Sequence, residues 1–179
     1  MKRPKNFVWL FYAFLLGIGA CSFIFVLGSG LFQDTLDNWF VYISRAYGSI
    51  PLTELKGPDQ LGYFLMFAMV AMTLSPIGEE LLYRGMIHQS FVARYGEHGA
   101  SIIDSAAFAL VHLAHFGLVF DQGVWKMIWI PALIWMALMF LTSRIFFWCK
   151  TQSGSIYGAI MGHAGFNFAM TYYIFYHIL

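Results

Sequence analysis

Apolar residues run along this chain in long blocks, not in the alternation of a strand or the narrow stripe of a soluble helix. Five stretches, residues 7–31, 61–93, 99–120, 124–148 and 154–178, each reach the about 20 residues a helix needs to cross a bilayer core. Backbone polar groups in that solvent must be satisfied internally, so each block predicts a helix. The pattern therefore predicts an all-α, polytopic integral membrane helix bundle of about five to six transmembrane segments. Segment 61–93 is too long for one straight span, and Pro76 followed by Gly78 near its middle predicts a kink or a break. It is one tilted span or two half-spans.

The intervening segment 33–60, with Pro51, Gly57 and Pro58, reads as an external loop lying along the interface through Trp39, Phe40, Tyr42 and Tyr47. The chain is then a single transmembrane domain over 1–179: an anchor helix and external loop in 1–60, and a helical core in 61–179. It shows no repeat and no low-complexity tract. The start Met1-Lys2-Arg3-Pro4-Lys5 is that of a signal peptide, but the apolar run behind it is long enough to span and stay.

Composition agrees with this solvent: 60% hydrophobic, 20% aromatic and 11% charged residues, with a mean hydropathy of +0.67. A net charge of +1 and the lack of a basic tract interleaved with aromatics exclude nucleic acid as a partner. Cys21 and Cys149 lie in apolar stretches without partners at ligand spacing and read as packing residues. If 61–93 crosses once, Lys2, Arg3, Lys5, Arg94 and Lys150 share one side, against Arg45, Lys56 and Lys126 on the other. The positive-inside rule then places the N-terminus in the cytoplasm. The small size suggests a prokaryotic inner or plasma membrane.

Three polar clusters interrupt the apolar blocks at similar depth: Glu79-Glu80-Leu81-Leu82-Tyr83-Arg84, Phe108-Ala109-Leu110-Val111-His112 and His163-Ala164-Gly165-Phe166-Asn167. An ionisable side chain at the bilayer centre costs about 2.5–3.5 kcal/mol on insertion scales, so such clusters mark function or a buried pairing network. On a helix Glu80 and Arg84 share a face and neutralise each other, while Glu79 turns about 100° away and is left as a carboxylate for general-base work. Asp104, His112 and His115 lean one way on their helix. Asp104 is either a supporting acceptor for His112 or an interfacial residue, and His115 reads as packing. His163 and Asn167 point to one side of the last helix, whose Gly154, Gly158 and Gly162 let a neighbour approach closely.

One carboxylate, two imidazoles and an amide can activate a water for attack on a peptide carbonyl and stabilise the oxyanion. Glu79, His112 and His163 are equally a candidate zinc set, although the chain has no His-Glu-x-x-His. The residues leave both chemistries open.

The same residues resemble the CAAX-protease and bacteriocin-processing (CPBP) family of intramembrane proteases, related to type II CAAX prenyl endopeptidase. Pro76-Ile77-x-Glu79-Glu80-x-x-x-Arg84-Gly85 is similar to its first motif, and Phe108-x-x-x-His112 to its second. Ser155-Ile156 with His163-x-x-x-Asn167 is similar to its third. The resemblance covers about residues 61–173. It implies Glu79 as the water-activating base, His112, His163 and Asn167 as contacts to the water or oxyanion, and Glu80 and Arg84 as residues shaping the site. It also implies a membrane-associated peptide or protein substrate, such as one with a C-terminal membrane anchor, and leaves zinc dependence open. Tyr83 replaces a common phenylalanine, and only one long helix precedes the core.

A rhomboid-like reading of Ser153-Gly154-Ser155 fails, because no base follows the final helix and His163 lies on the same helix. A bacteriocin-immunity or membrane-partner protein, or a proton relay, uses the same residue types without turnover.

Overall fold

The computed structural model describes residues 3–48 and 57–179. Lys2, Pro51, Glu54 and Lys56 lie outside the described residues. Helix α1 (Val8–Phe32) is followed by a short α2 (Trp39–Ser44) and a 3-10 turn, then by α3 (Pro58–Glu80). A π-helical stretch, Leu81–Ile87, joins α3 to α4 (His88–Val111) without a loop. A two-stranded hairpin, β1 (Leu118–Asp121) and β2 (Val124–Met127), leads to α5 (Trp129–Ser153) and α6 (Ile156–Tyr173).

Among the described residues, three stretches are long and apolar enough to cross a membrane: Val8–Phe32, Pro58–Ala114 and Trp129–Ser153. The second folds back on itself at Gly96, whose φ of +67° breaks the helical path inside α4. Large apolar side chains such as Val26, Leu74 and Ile130 point outward. Hydrocarbon is the solvent that leaves them at no cost. The molecule is an all-α membrane helix bundle.

Helix α6 is the hub, packed by α1, α3 and α5, and nearly every residue from Gly158 to Asn167 is buried. Small residues make this possible. A Cβ at Gly17 would collide with the carbonyl of Gly162, and one at Gly165 with the carbonyl of Phe14, so α1 and α6 touch backbone to backbone. Hydrogen bonding finishes the ends: Ser155 caps α6 by accepting from the Tyr157 N–H, and Asn38 caps α2 by accepting from the Phe40 N–H at 3.0 Å. The Lys5 N–H donates to the Ser153 carbonyl at 2.9 Å, placing the N-terminal segment beside the α5–α6 turn.

Three expectations are corrected. Pro76 and Gly78 do not interrupt α3, which runs on to Glu80; the irregularity is the π-helical turn just beyond, and the break comes at Gly96. Residues 118–127, expected to end one span and begin the next, form the antiparallel hairpin with Val119 opposite Lys126. In β1 only Val119 turns inward, between exposed Leu118 and Phe120, and Gln122 and Gly123 (φ +49° and +80°) supply the two left-handed turn positions that a tight hairpin requires. Trp39 and Phe40 do not lie along the interface but are fully buried, with Trp39 stacked on Trp135 at 5.7 Å.

Candidate active site

Each of the three polar clusters arrives on its own element. Glu79 and Glu80 sit at the end of α3, where the π-helical turn begins; π segments inside helices frequently coincide with functional sites. His112 opens a 3-10 turn that ends α4, and His163 and Asn167 lie one turn apart in the centre of α6. All four of Glu79, His112, His163 and Asn167 line one cavity of about 550 Å³. His115, expected as packing, lines it too, its ring 4.9 Å from that of His112.

The hydrogen bonds fix which atoms are spent. Nδ1 of His112 lies 2.7 Å from the Phe108 carbonyl, an acceptor only, so that nitrogen carries the proton. Nδ1 of His163 lies 3.0 Å from Oε1 of Glu80. Both rings therefore keep Nε2 free of those partners. Asn167 donates from Nδ2 to the Ala71 carbonyl at 2.9 Å, which uses one of its two amide hydrogens. Glu79 accepts from Ser75 Oγ at 2.5 Å on Oε1, while its Oε2 is buried without a partner. A carboxylate oxygen buried without a partner beside such a cavity is the atom that a water or a proton would satisfy.

Beneath the cavity, Glu80 and Arg84 are fully buried and paired at 3.1 Å. Arg84 also donates to the carbonyl of Ser143 at 2.8 Å and to its hydroxyl at 2.5 Å, and its guanidinium lies over the Phe108 ring at 5.0 Å. Asp104 approaches Arg84 at 4.0 Å and takes the Nδ1 side of His88 at 2.7 Å. Glu97, beyond the Gly96 break, meets Nε2 of that ring at 2.8 Å. Asp104 is thus bound away from His112, in a charged network under the cavity.

Other elements complete the cavity. Tyr42 and Arg45 line it together with Phe120 of the hairpin, whose N–H donates to the Tyr42 hydroxyl at 3.1 Å. Among the described residues, no three His, Cys, Asp or Glu side chains are arranged to hold a metal ion, so Glu79, His112 and His163 do not form a ready ligand cage.

A family model described as type II CAAX prenyl endopeptidase Rce1-like matches residues 61–169. The chain belongs to that family. The matched region begins in α3 and ends in α6, so it includes all three polar clusters and leaves out α1 and α2. No curated protein matches, and no solved structure does. Family membership makes this a membrane protein of the CAAX-protease kind.

Sequence reasoning missed Ser75, Ser143, His88 and Trp135. The first was legible: it stands four residues before Glu79, one turn away on the same face. Trp135, whose Nε1 donates to the His112 carbonyl at 3.1 Å, and Ser143 lie on α5, which carries no motif of its own. His88 gave no signal because its partners lie across a chain reversal.

Proposed function

We propose that this chain is an intramembrane endopeptidase that hydrolyses a peptide bond of a membrane-associated substrate with a water activated by Glu79. The observation that carries this reading is the unpartnered Oε2 of Glu79, a residue lining the cavity that His112, His163 and Asn167 also line. Oε2 holds the water and takes its proton as the water oxygen bonds to the scissile carbonyl carbon. His112 orients that water through Nε2. The negative charge that builds on the carbonyl oxygen faces the second amide hydrogen of Asn167 and the His163 ring, whose other nitrogen is held by Glu80. Glu79 then passes its proton to the leaving amine, and the C–N bond breaks.

The family description points to a prenylated CAAX end as the substrate class, and the mainly apolar cavity lining suits an apolar peptide. The asymmetric distribution of Lys and Arg supports a cytoplasmic N-terminus.

The test is cleavage of a quenched fluorescent peptide with a prenylated CAAX end by purified protein in liposomes, with and without a metal chelator. Cleavage that survives the chelator and vanishes in Glu79→Gln supports the glutamate mechanism. Loss of cleavage in chelator, restored by zinc, replaces it with the metal-dependent form. Cleavage undiminished in Glu79→Gln rejects both, and a membrane-partner role becomes the reading if wild-type protein cuts nothing.

A further inference from the structure

Five serines and threonines inside these helices turn their hydroxyls back onto the carbonyl one turn earlier. Ser22 donates to Ile18 at 2.8 Å, Thr73 to Met69 at 2.7 Å, Ser90 to Met86 at 2.9 Å, Thr151 to Phe147 at 3.0 Å and Thr171 to Asn167 at 2.9 Å. This is the usual resting place of a hydroxyl in an apolar helix. Ser75 departs from it. Its hydroxyl points the other way along α3 and donates to Oε1 of Glu79 at 2.5 Å.

The reason is visible one turn back. The carbonyl that Ser75 would use is that of Ala71, and Asn167 Nδ2 donates to that oxygen from α6 at 2.9 Å. A carbonyl oxygen has two lone pairs, of which the helix takes one and Asn167 the other. The hydroxyl of Ser75 is thereby released toward Glu79. Ser75 also lines the cavity, so it stands beside the carboxylate and not behind it.

We propose that Ser75 is the positioning residue for Glu79: it donates to Oε1, fixes the plane of the carboxylate, and so sets where the unpartnered Oε2 points. The proposal rests on the reading of Glu79 as the base. Without the hydroxyl the carboxylate is free to rotate, and either oxygen can face the cavity in geometries that do not align a water on the substrate carbonyl. Small misplacements of this kind lower turnover more than binding. Asn167 gains a second duty, holding α6 against the turn of α3 from which both Ser75 and Glu79 project.

The test uses the full-length protein in liposomes and the quenched prenylated peptide. Ser75→Ala is expected to lower kcat about tenfold with KM changed less than about twofold, and Ser75→Thr, which restores a hydroxyl, to regain most of the rate. The melting temperature of Ser75→Ala should match the wild type. Ser75→Ala with wild-type kcat, in a preparation where Glu79→Gln is inactive, overturns the positioning role and leaves the base assignment standing. A loss that Ser75→Thr does not restore, accompanied by a lower melting temperature, assigns Ser75 to packing and overturns it as well. Activity retained in Glu79→Gln is the separate result that removes the base assignment itself.

Discussion

Nδ1 of His163 lies 3.0 Å from Oε1 of Glu80, the same oxygen that meets Nη1 of Arg84 at 3.1 Å. One carboxylate atom thus ties α6 to the α3 end and to the π-helical turn that follows it. Of two adjacent glutamates, the second is consumed in holding a histidine and an arginine, while the first is left to face the cavity. That division of labour follows from helix geometry, since neighbouring residues point about 100° apart.

Glu79→Gln keeps the shape and removes the basic oxygen. Cleavage of the prenylated peptide should fall by about 10²–10⁴-fold, the range of general-base catalysis, with normal membrane insertion and abundance. His112→Ala should produce a loss of the same kind. Rates measured beside immunoblots of membrane fractions check both, and a variant that keeps near-wild-type turnover contradicts the assignment.

The Glu80–Arg84 pair should act mainly through stability. Arg84→Ala leaves a fully buried carboxylate with His163 alone beside it, and breaking such a pair costs about 3–5 kcal/mol. Glu80→Gln/Arg84→Met removes both charges and should melt above Arg84→Ala in detergent. Equal melting temperatures for the two would mean that the stranded charge is not the source of the loss.

Helix α1 should tolerate a methyl group at one glycine and not at another. Gly17→Ala drives a Cβ into the Gly162 carbonyl, a backbone atom that cannot step aside, and should cost on the order of 1–3 kcal/mol. Gly19→Ala, two residues on, meets nothing within 4 Å and should leave thermal unfolding unchanged. Gly165→Ala should behave like Gly17→Ala.

Trp135→Phe tests the support of His112 from α5. The indole N–H donates to the His112 carbonyl, which also accepts from the His115 and Phe116 N–H groups, so Trp135 ties α5 to the turn that carries His112. Losing that bond should cost about 1 kcal/mol and loosen the ring above it. A lower melting temperature together with severalfold slower cleavage is the expected pair of results; a change in neither would show that His112 needs no help from α5.

The membrane class, the all-α bundle and the polar clusters were legible in the sequence, because a bilayer permits few ways to satisfy a backbone and makes every buried charge conspicuous. Local periodicity also separated Glu79 from Glu80 and put His163 and Asn167 on one face. Tertiary structure decided what lay across helices. The first strand of the hairpin at 118–127 was hidden in an apolar run because inward Val119 and outward Leu118 and Phe120 are all hydrophobic, so only burial tells them apart. Asp104 could not be assigned from its spacing to His112, since His88 and Arg84 reach it from beyond the Gly96 reversal. The direction of the Ser75 hydroxyl was likewise beyond the sequence: it depends on a carbonyl occupied from 96 residues away, by an amide that only the packing of α6 on α3 brings within reach.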